Sequence, residues 1–176
     1  MEILNKDVKL ETTYLSLNFY GEVKISTIQK ICQLKHLKHL NLSSSDLLDE
    51  HLEIIGGVES LELLDLDLTK ITDQGLRFLK PLKKLKELRL KDNRQLTDEC
   101  IEHLAKIESL ELIHFGNTSI TIEGLKQLLP EVNLKLVILD SVFKNVLEEV
   151  LVLSRRYPEL EINLKGTGTI VDGEVR

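Results

Sequence analysis

A chain of 176 residues, 42% hydrophobic and 30% charged, has an ordinary soluble composition and the length of one domain. Its net charge of −6 and its 4% aromatic content argue against nucleic acid, which needs a basic footprint and stacking platforms, while they permit a basic protein as partner. No stretch approaches the roughly 20 apolar residues of a membrane span, and the charged start MEILNKDVKLE is not a signal peptide, so the chain reads as cytoplasmic.

Residues 1–11 alternate weakly at Val8 and Leu10 and are expected to cap the first strand. A first unit starts near Thr12, with Leu15 and Leu17 as its strand core. Leu37, Leu61, Leu85 and Leu110 then open four units at a spacing of 24 or 25. Leu40, Leu64, Leu88 and Ile113 follow three places later, and Leu42, Leu66, Leu90 and Phe115 two after that. A polar residue comes next (Ser45, Thr69, Asn93, Thr118), then an apolar one (Leu47, Ile71, Leu96, Ile120). Leu134, Val137 and Leu139 open a further unit whose helical part, Val146 to Leu153, is less regular. A last strand at Glu161 to Lys165 is expected to bury Ile162 and Leu164, and Asp172-Gly173 signals a hairpin over it. A period in this range means stacked units. Residues 12–158 hold about six of them, and 159–176 hold the terminal strand and C-terminal cap.

Each unit divides into a strand-like L-x-x-L-x-L part and a helical remainder, such as the one carrying Ile71, Leu76, Leu79 and Leu82. Thr72, Thr97 and Thr121 stand at helix N-caps, Ser26 with Gln29 reads as a capping box, and Pro81 and Pro130 lie where helices end. Gly56-Gly57 reads as a helix stop. Cys32 and Cys100 lie too many units apart for a disulfide and read as two buried thiols. The second position of successive units runs Lys38, Glu62, Lys86, Glu111, Lys135, alternating in sign. In a parallel sheet with strands about 4.8 Å apart, Glu62 would be flanked by both Lys38 and Lys86.

The unit L-x-x-L-x-L-x-x-(N/T)-x-I-T-D-x-G-L, seen in ITDQGL at 71–76 and LTDECI at 96–101, resembles a leucine-rich repeat. It looks most like the cysteine-containing subclass of F-box adaptor proteins and like bacterial repeats with Thr at the polar position, which Thr69 and Thr118 match. The subclass cysteine is missing from that column. The resemblance covers residues 12 to 165. It implies an α/β fold, a right-handed β-α superhelix with a parallel concave sheet and helices on the convex side, that binds proteins, usually through the concave face. No F-box-like helical segment precedes the repeats.

Outward strand positions are the candidate partner-binding surface: Tyr14, His39, Leu63, Glu87, Leu112 and Leu136 at position three, Asn41, Asp65, Arg89, His114 and Ile138 at position five, Asp67 and Asp140 at position seven. Leu63, Leu112, Leu136 and Ile138 form an apolar patch of the kind that marks interfaces. Three structural alternatives stay open. Asp65 facing Arg89, and Asp67 facing Lys91, would be solvated ladder contacts between neighbouring strands. Leu136 and Ile138 would lie under the C-terminal tail. Tyr14 and Phe19 would lie under the N-terminal cap.

Catalytic signals are weak. His39 and His114 share a face roughly 14 Å apart, too far for one metal, and His36 faces away from His39. No G-x-S-x-G, H-E-x-x-H or Walker loop occurs. Asp65, Glu87 and Asp92 are interleaved with Arg89 and Lys91, a balanced surface more than an acid–base pair. The expectation is a non-catalytic protein-binding module with no cofactor, metal, small-molecule substrate, nucleic acid or membrane as ligand. A stand-alone inhibitor or immunity-type protein comes first. An adaptor or substrate-recognition subunit of a larger complex comes second, with Lys80 to Lys86 as its other surface.

Overall fold

A computed structural model describes residues 2–3, 6–18 and 23–176. Phe19 lies outside the described residues, so its expected cover has no structural account. Seven parallel strands carry the repeat: β3 (Tyr14–Ser16), β4 (His39–Asn41), β5 (Leu63–Asp65), β6 (Glu87–Arg89), β7 (Leu112–His114), β8 (Leu136–Leu139) and β9 (Glu161–Leu164). They pair in chain order without crossover. The register is fixed by the central apolar residue of each strand. Leu15, Leu40, Leu64, Leu88, Ile113, Val137 and Ile162 lie side by side, all buried. A slip of one residue would turn this whole column to solvent.

Between the strands the chain crosses to a second layer. α1 (Ile25–Ile31), α2 (Asp49–Ile55), the segment Asp73–Leu79, α3 (Ile101–Leu104), α4 (Ile122–Leu128) and α5 (Leu147–Arg156) follow one another there. Ile28, Leu52, Leu76, Leu125 and Val150 point from these elements into the core. Asp73–Leu79 is a 3₁₀ helix, as are Asp98–Cys100 and Ser141–Val146, a helix type that the spacing did not specify. Close packing accompanies the tighter coil. A Cβ on Gly56 would collide with the Phe78 carbonyl oxygen, and one on Gly75 with Asp49 Oδ1. Gly56 closes α2, as its position suggested, and it is small for contact, since its φ of −56 is right-handed and would admit other residues.

Two polar ladders tie the units together. In the first, the polar column bonds inward. Ser45 Oγ, Thr69 Oγ1 and Thr118 Oγ1 donate to the carbonyls of Leu42, Leu66 and Phe115 at 2.6, 3.0 and 2.8 Å. Asn93 does more: its Nδ2 donates to both Leu66 O and Leu90 O at 2.9 Å, while its Oδ1 accepts from Thr69 N at 2.9 Å. In the second, an Asp opening one helical segment accepts both the N–H and the hydroxyl of the Thr that caps the next. Asp49 holds Thr72 at 2.8 and 2.6 Å, Asp73 holds Thr97 at 2.8 and 2.8 Å, and Asp98 holds Thr121 at 2.8 and 2.6 Å. Gly75 and Gly124 leave the room that Asp49 and Asp98 need. Thr97 and Thr121 also cap their own helices, accepting from Glu99 N and Glu123 N at 3.2 Å, whereas Thr72 makes no side-chain cap bond.

Several local expectations are corrected. Ser26 and Gln29 form no capping box: α1 is capped at Lys24 without a side-chain bond, and Ser26 is exposed. Cys100 is fully buried but Cys32 only partly. The short hairpin of β1 (Glu2–Ile3) and β2 (Lys6–Asp7) is not part of the main sheet. It packs β1 against α1 with Ile3 and Val8 buried, and Leu10 is exposed. At the other end, β10 (Gly168–Val171) pairs antiparallel with β9 and then with β11 (Glu174–Val175). Asp172 and Gly173 both carry positive φ, 50 and 75, the geometry of a two-residue type I′ turn.

The charged column stacks in order. Lys38, Glu62, Lys86, Glu111 and Lys135 pass backbone hydrogen bonds from each to the next at 2.7–2.8 Å. Glu62 pairs with Lys38 at 2.9 Å, and Glu111 with both Lys86 and Lys135 at 3.5 and 2.7 Å. Lys86 thus leans toward Glu111, and Glu62 feels it only through the longer-range field.

A turn after each of four strands places Ser44, Leu68, Asp92 and Asn117 at φ between 53 and 61. Asn and Asp tolerate this left-handed conformation, and leucine does not. Leu68 is also 47% exposed, so little packing offsets the strain. Leu68→Asn is expected to raise folding stability by about 0.5–1 kcal/mol, measured by denaturant unfolding.

Candidate functional site

Residues on either side of each strand's buried centre face outward, and they assemble the surface the sequence marked. Tyr14, His39, Leu63, Glu87, Leu112 and Leu136 form one row, Asn41, Asp65, Arg89, His114 and Ile138 the next. Tyr14 is 61% exposed and meets His39 edge-on with ring centroids 6.4 Å apart. The N-terminal cap therefore leaves Tyr14 open. The C-terminal hairpin extends the sheet edge beyond β9 instead of folding over Leu136 and Ile138, which stay half-buried, as do Leu63 and Leu112. Leu112 lies beside Leu136, and His114 beside Ile138.

The expected neighbours lie beside one another across the strands, but their side chains form no ion pair. Arg89 lies beside Asp65, yet its Nε donates to Glu87 Oε1 on its own strand at 2.6 Å. Lys91 pairs with Asp92 at 3.2 Å. Asp65, 7% exposed, is satisfied by neutral donors: Asn41 Nδ2 at 3.0 Å and the Asp67 N–H at 3.0 Å. Asp67 Oδ1 accepts the Lys91 N–H at 2.7 Å. The reason is geometric. Residues two apart on a strand share a face, so Arg89 reaches Glu87 on its own strand as easily as a neighbouring strand's carboxylate, while Lys91 reaches the adjoining Asp92 in the turn that follows.

Burial, reinforced by Asp65, pushes the Asp67 carboxyl from its ordinary 3.8 up to about 6. A carboxyl raised on folding holds a proton that the unfolded chain has released, so its stabilising effect is complete below about pH 4 and is lost as pH rises through 6. Asp67→Asn keeps an acceptor for the Lys91 N–H. It is expected to raise stability at pH 7 and to flatten the fall between pH 4 and 6, as read from chemical denaturation across that range.

Asp140 is set apart from the other candidates. Its Oδ1 accepts from Ser141 Oγ and Val142 N at 3.0 and 3.3 Å, capping the 3₁₀ turn after β8. Asp92 is a surface residue that strand spacing did not select. It sits in the left-handed turn after β6 and accepts from Asn117 Nδ2 at 2.7 Å. Its signal lay in the Ser44, Leu68, Asn117 column. Gly116 is bare because His114 occupies the space of its side chain. Burial, with Lys91 and Arg89 nearby, holds the His114 imidazole below its ordinary range.

The other histidines serve the fold or the surface. His51 accepts the Leu48 N–H through Nδ1 at 3.0 Å and meets Val23 O through Nε2 at 2.7 Å, which fits a proton on Nε2. His103 is buried without a hydrogen-bond partner among the described residues, and His36 is exposed in a turn. Burial raises both thiols above the ordinary cysteine range, which makes them poor nucleophiles. Among the described residues no His, Cys, Asp or Glu group is arranged to hold a metal, and no helix is long and apolar enough to cross a membrane.

No family model and no curated protein matches the chain. Solved structures resemble it in shape. An internalin from Listeria monocytogenes superposes with a TM-score of 0.50 and 19% identity, covering 72% of this chain and 41% of that one. A leucine-rich-repeat protein from Leptospira interrogans does so with a TM-score of 0.50 and 24% identity, covering 69% and 30%. The chain thus spans less than half the length of either. At such identities the likeness speaks of architecture, and it agrees with the repeat, the register and the two layers described above: the chain has the leucine-rich-repeat fold.

Proposed function

We propose that this chain is a non-catalytic protein-interaction module that binds one partner through its concave face, as a stand-alone inhibitor or immunity-type protein. The observation that carries the reading is the half-buried group Leu112, Leu136 and Ile138 on adjacent strands of an uncovered sheet face. Apolar side chains so placed fill no core of their own, and contiguous apolar area on a rigid surface favours association. The net charge of −6 supports a basic partner met by electrostatic steering. Cytoplasmic residence belongs to the same proposal. Capture of a partner by the intact chain, repeated with Leu112, Leu136 and Ile138 each changed to Asp, is the test. Loss of the captured protein in folded variants is the expected result, and undiminished capture would refute the concave site.

A second reading, an adaptor between two partners, draws on the edge where strands begin. Lys83 and Lys84 border two grooves of about 440 and 610 Å³, shared with Lys86, Glu108 and Lys135 on one side and Lys35, Glu59 and Pro81 on the other. An adaptor predicts that Lys83→Glu with Lys84→Glu removes a different partner from the one lost with the leucine variants.

A further inference from the structure

The main sheet ends at β11, and this edge is complementary to itself. The Arg176 N–H donates inward to Thr169 O at 2.8 Å, and Glu174 lies beside Val171. Alternation along an antiparallel strand therefore turns the Val175 N–H and C=O away from β10. Neither group takes a hydrogen bond among the described residues. The Val175 side chain is 47% exposed. Glu174 and Arg176 flank it, both exposed, and neither forms an ion pair among the described residues. Charges on a short edge strand commonly guard it against pairing, and they do so by setting like charges opposite one another. Here the order Glu-Val-Arg does the reverse. An antiparallel copy of the strand, centred on Val175, sets Glu174 of each chain opposite Arg176 of the other, a favourable cross-strand pair made twice.

We infer that β11 pairs antiparallel with β11 of a second copy of this chain, across a twofold axis at Val175. The Val175 N–H of each copy donates to the Val175 carbonyl of the other. The two valine side chains meet beside the axis, on the face that carries Ile170, the cross-strand neighbour of Val175. The same patch serves both copies, so the contact closes at two and does not propagate. It joins the two sheets into one. The axis stands perpendicular to the sheet, so both concave faces open on the same side. The pairing holds whether or not those faces bind the partner proposed above, and a partner with two epitopes would engage both at once. The contact is small, which makes the dimer weak, with a Kd of roughly 0.1–1 mM.

Sedimentation equilibrium of the full chain, at concentrations up to about 1 mM, reads the association. Reversible dimers that dissociate on dilution are expected. Glu174→Lys and Arg176→Glu each set like charges opposite, so each variant alone is expected to dimerise at least about ten-fold more weakly. Mixed in equal amounts, the two variants restore both opposite-charge pairs, and a mixed dimer of parental affinity is expected. Val175→Pro removes the outward N–H and is expected to leave a monomer. Circular dichroism confirms that each variant is folded. A parent chain that stays monomeric at about 1 mM overturns the inference. So does a dimer that either Val175→Pro or Glu174→Lys leaves unchanged, or a mixture that associates no more tightly than its components.

Discussion

Asn93→Ala is expected to cost about 3–5 kcal/mol of folding stability. Asn93 is fully buried, and its amide serves groups from two repeats at once: Leu66 O, Leu90 O and the Thr69 N–H, each at 2.9 Å. Truncation leaves these buried backbone groups without a partner, at about 1–3 kcal/mol apiece, reduced where water enters the space. Asn93→Thr should fall between. A threonine can bond the carbonyl three residues earlier, as Thr69 bonds Leu66, but it cannot reach across to the preceding unit. Denaturant unfolding measures the order: parent most stable, Thr next, Ala least. A cost near zero for Ala would mean that the inter-repeat amide is dispensable.

Gly75→Ala is expected to cost about 2–4 kcal/mol in the parent chain and about 2 kcal/mol less where Asp49 is already Ala, whose Cβ still stands close to the new methyl. Alanine is normally the better helical residue by about 0.5–1 kcal/mol. Here its Cβ would collide with Asp49 Oδ1, forcing that carboxylate away from the Thr72 N–H and hydroxyl it holds at 2.8 and 2.6 Å. The cost is overpacking, about 1–3 kcal/mol, plus the lost charge-assisted bonds. Asp49→Ala alone forfeits the bonds, about 1–2 kcal/mol at this partly exposed site. A double-mutant cycle should therefore show strong coupling, on the order of 2 kcal/mol, and additive costs would contradict the account. The same logic explains why Gly stands three places after both Thr72 and Thr121: Gly75 and Gly124 accommodate the Asp of the unit before, Asp49 and Asp98.

Much of this architecture was legible in the sequence because the repeat is a direct record of spatial neighbourhood. A period of 24 or 25 put Leu64 between Leu40 and Leu88 and, by alternation, put Leu63 and Asp65 on the other face. What the period could not record is the choice among equally near partners. Asp65 took Asn41 instead of Arg89, and Arg89 took Glu87, because neutral donors and same-strand carboxylates compete within the same few ångströms. Nor could it record helix type. Asp73–Leu79 is 3₁₀ in a setting where Gly56 and Gly75 admit close neighbours, contacts that a hydrophobic pattern does not encode. The Thr72 and Asp49 bond was hidden for the same reason: an N-cap reading looks along one helix, whereas the bond runs between two.

The concave face as the binding surface is tested most directly by hydroxyl-radical footprinting of the full chain alone and with its captured partner. The account predicts protection of Tyr14, Leu63, Leu112, Leu136 and Ile138, while Val152 on α5, 61% exposed, reacts equally in both samples. Protection confined to Val152 and its neighbours on the helical side, with the concave leucines unchanged, would contradict it.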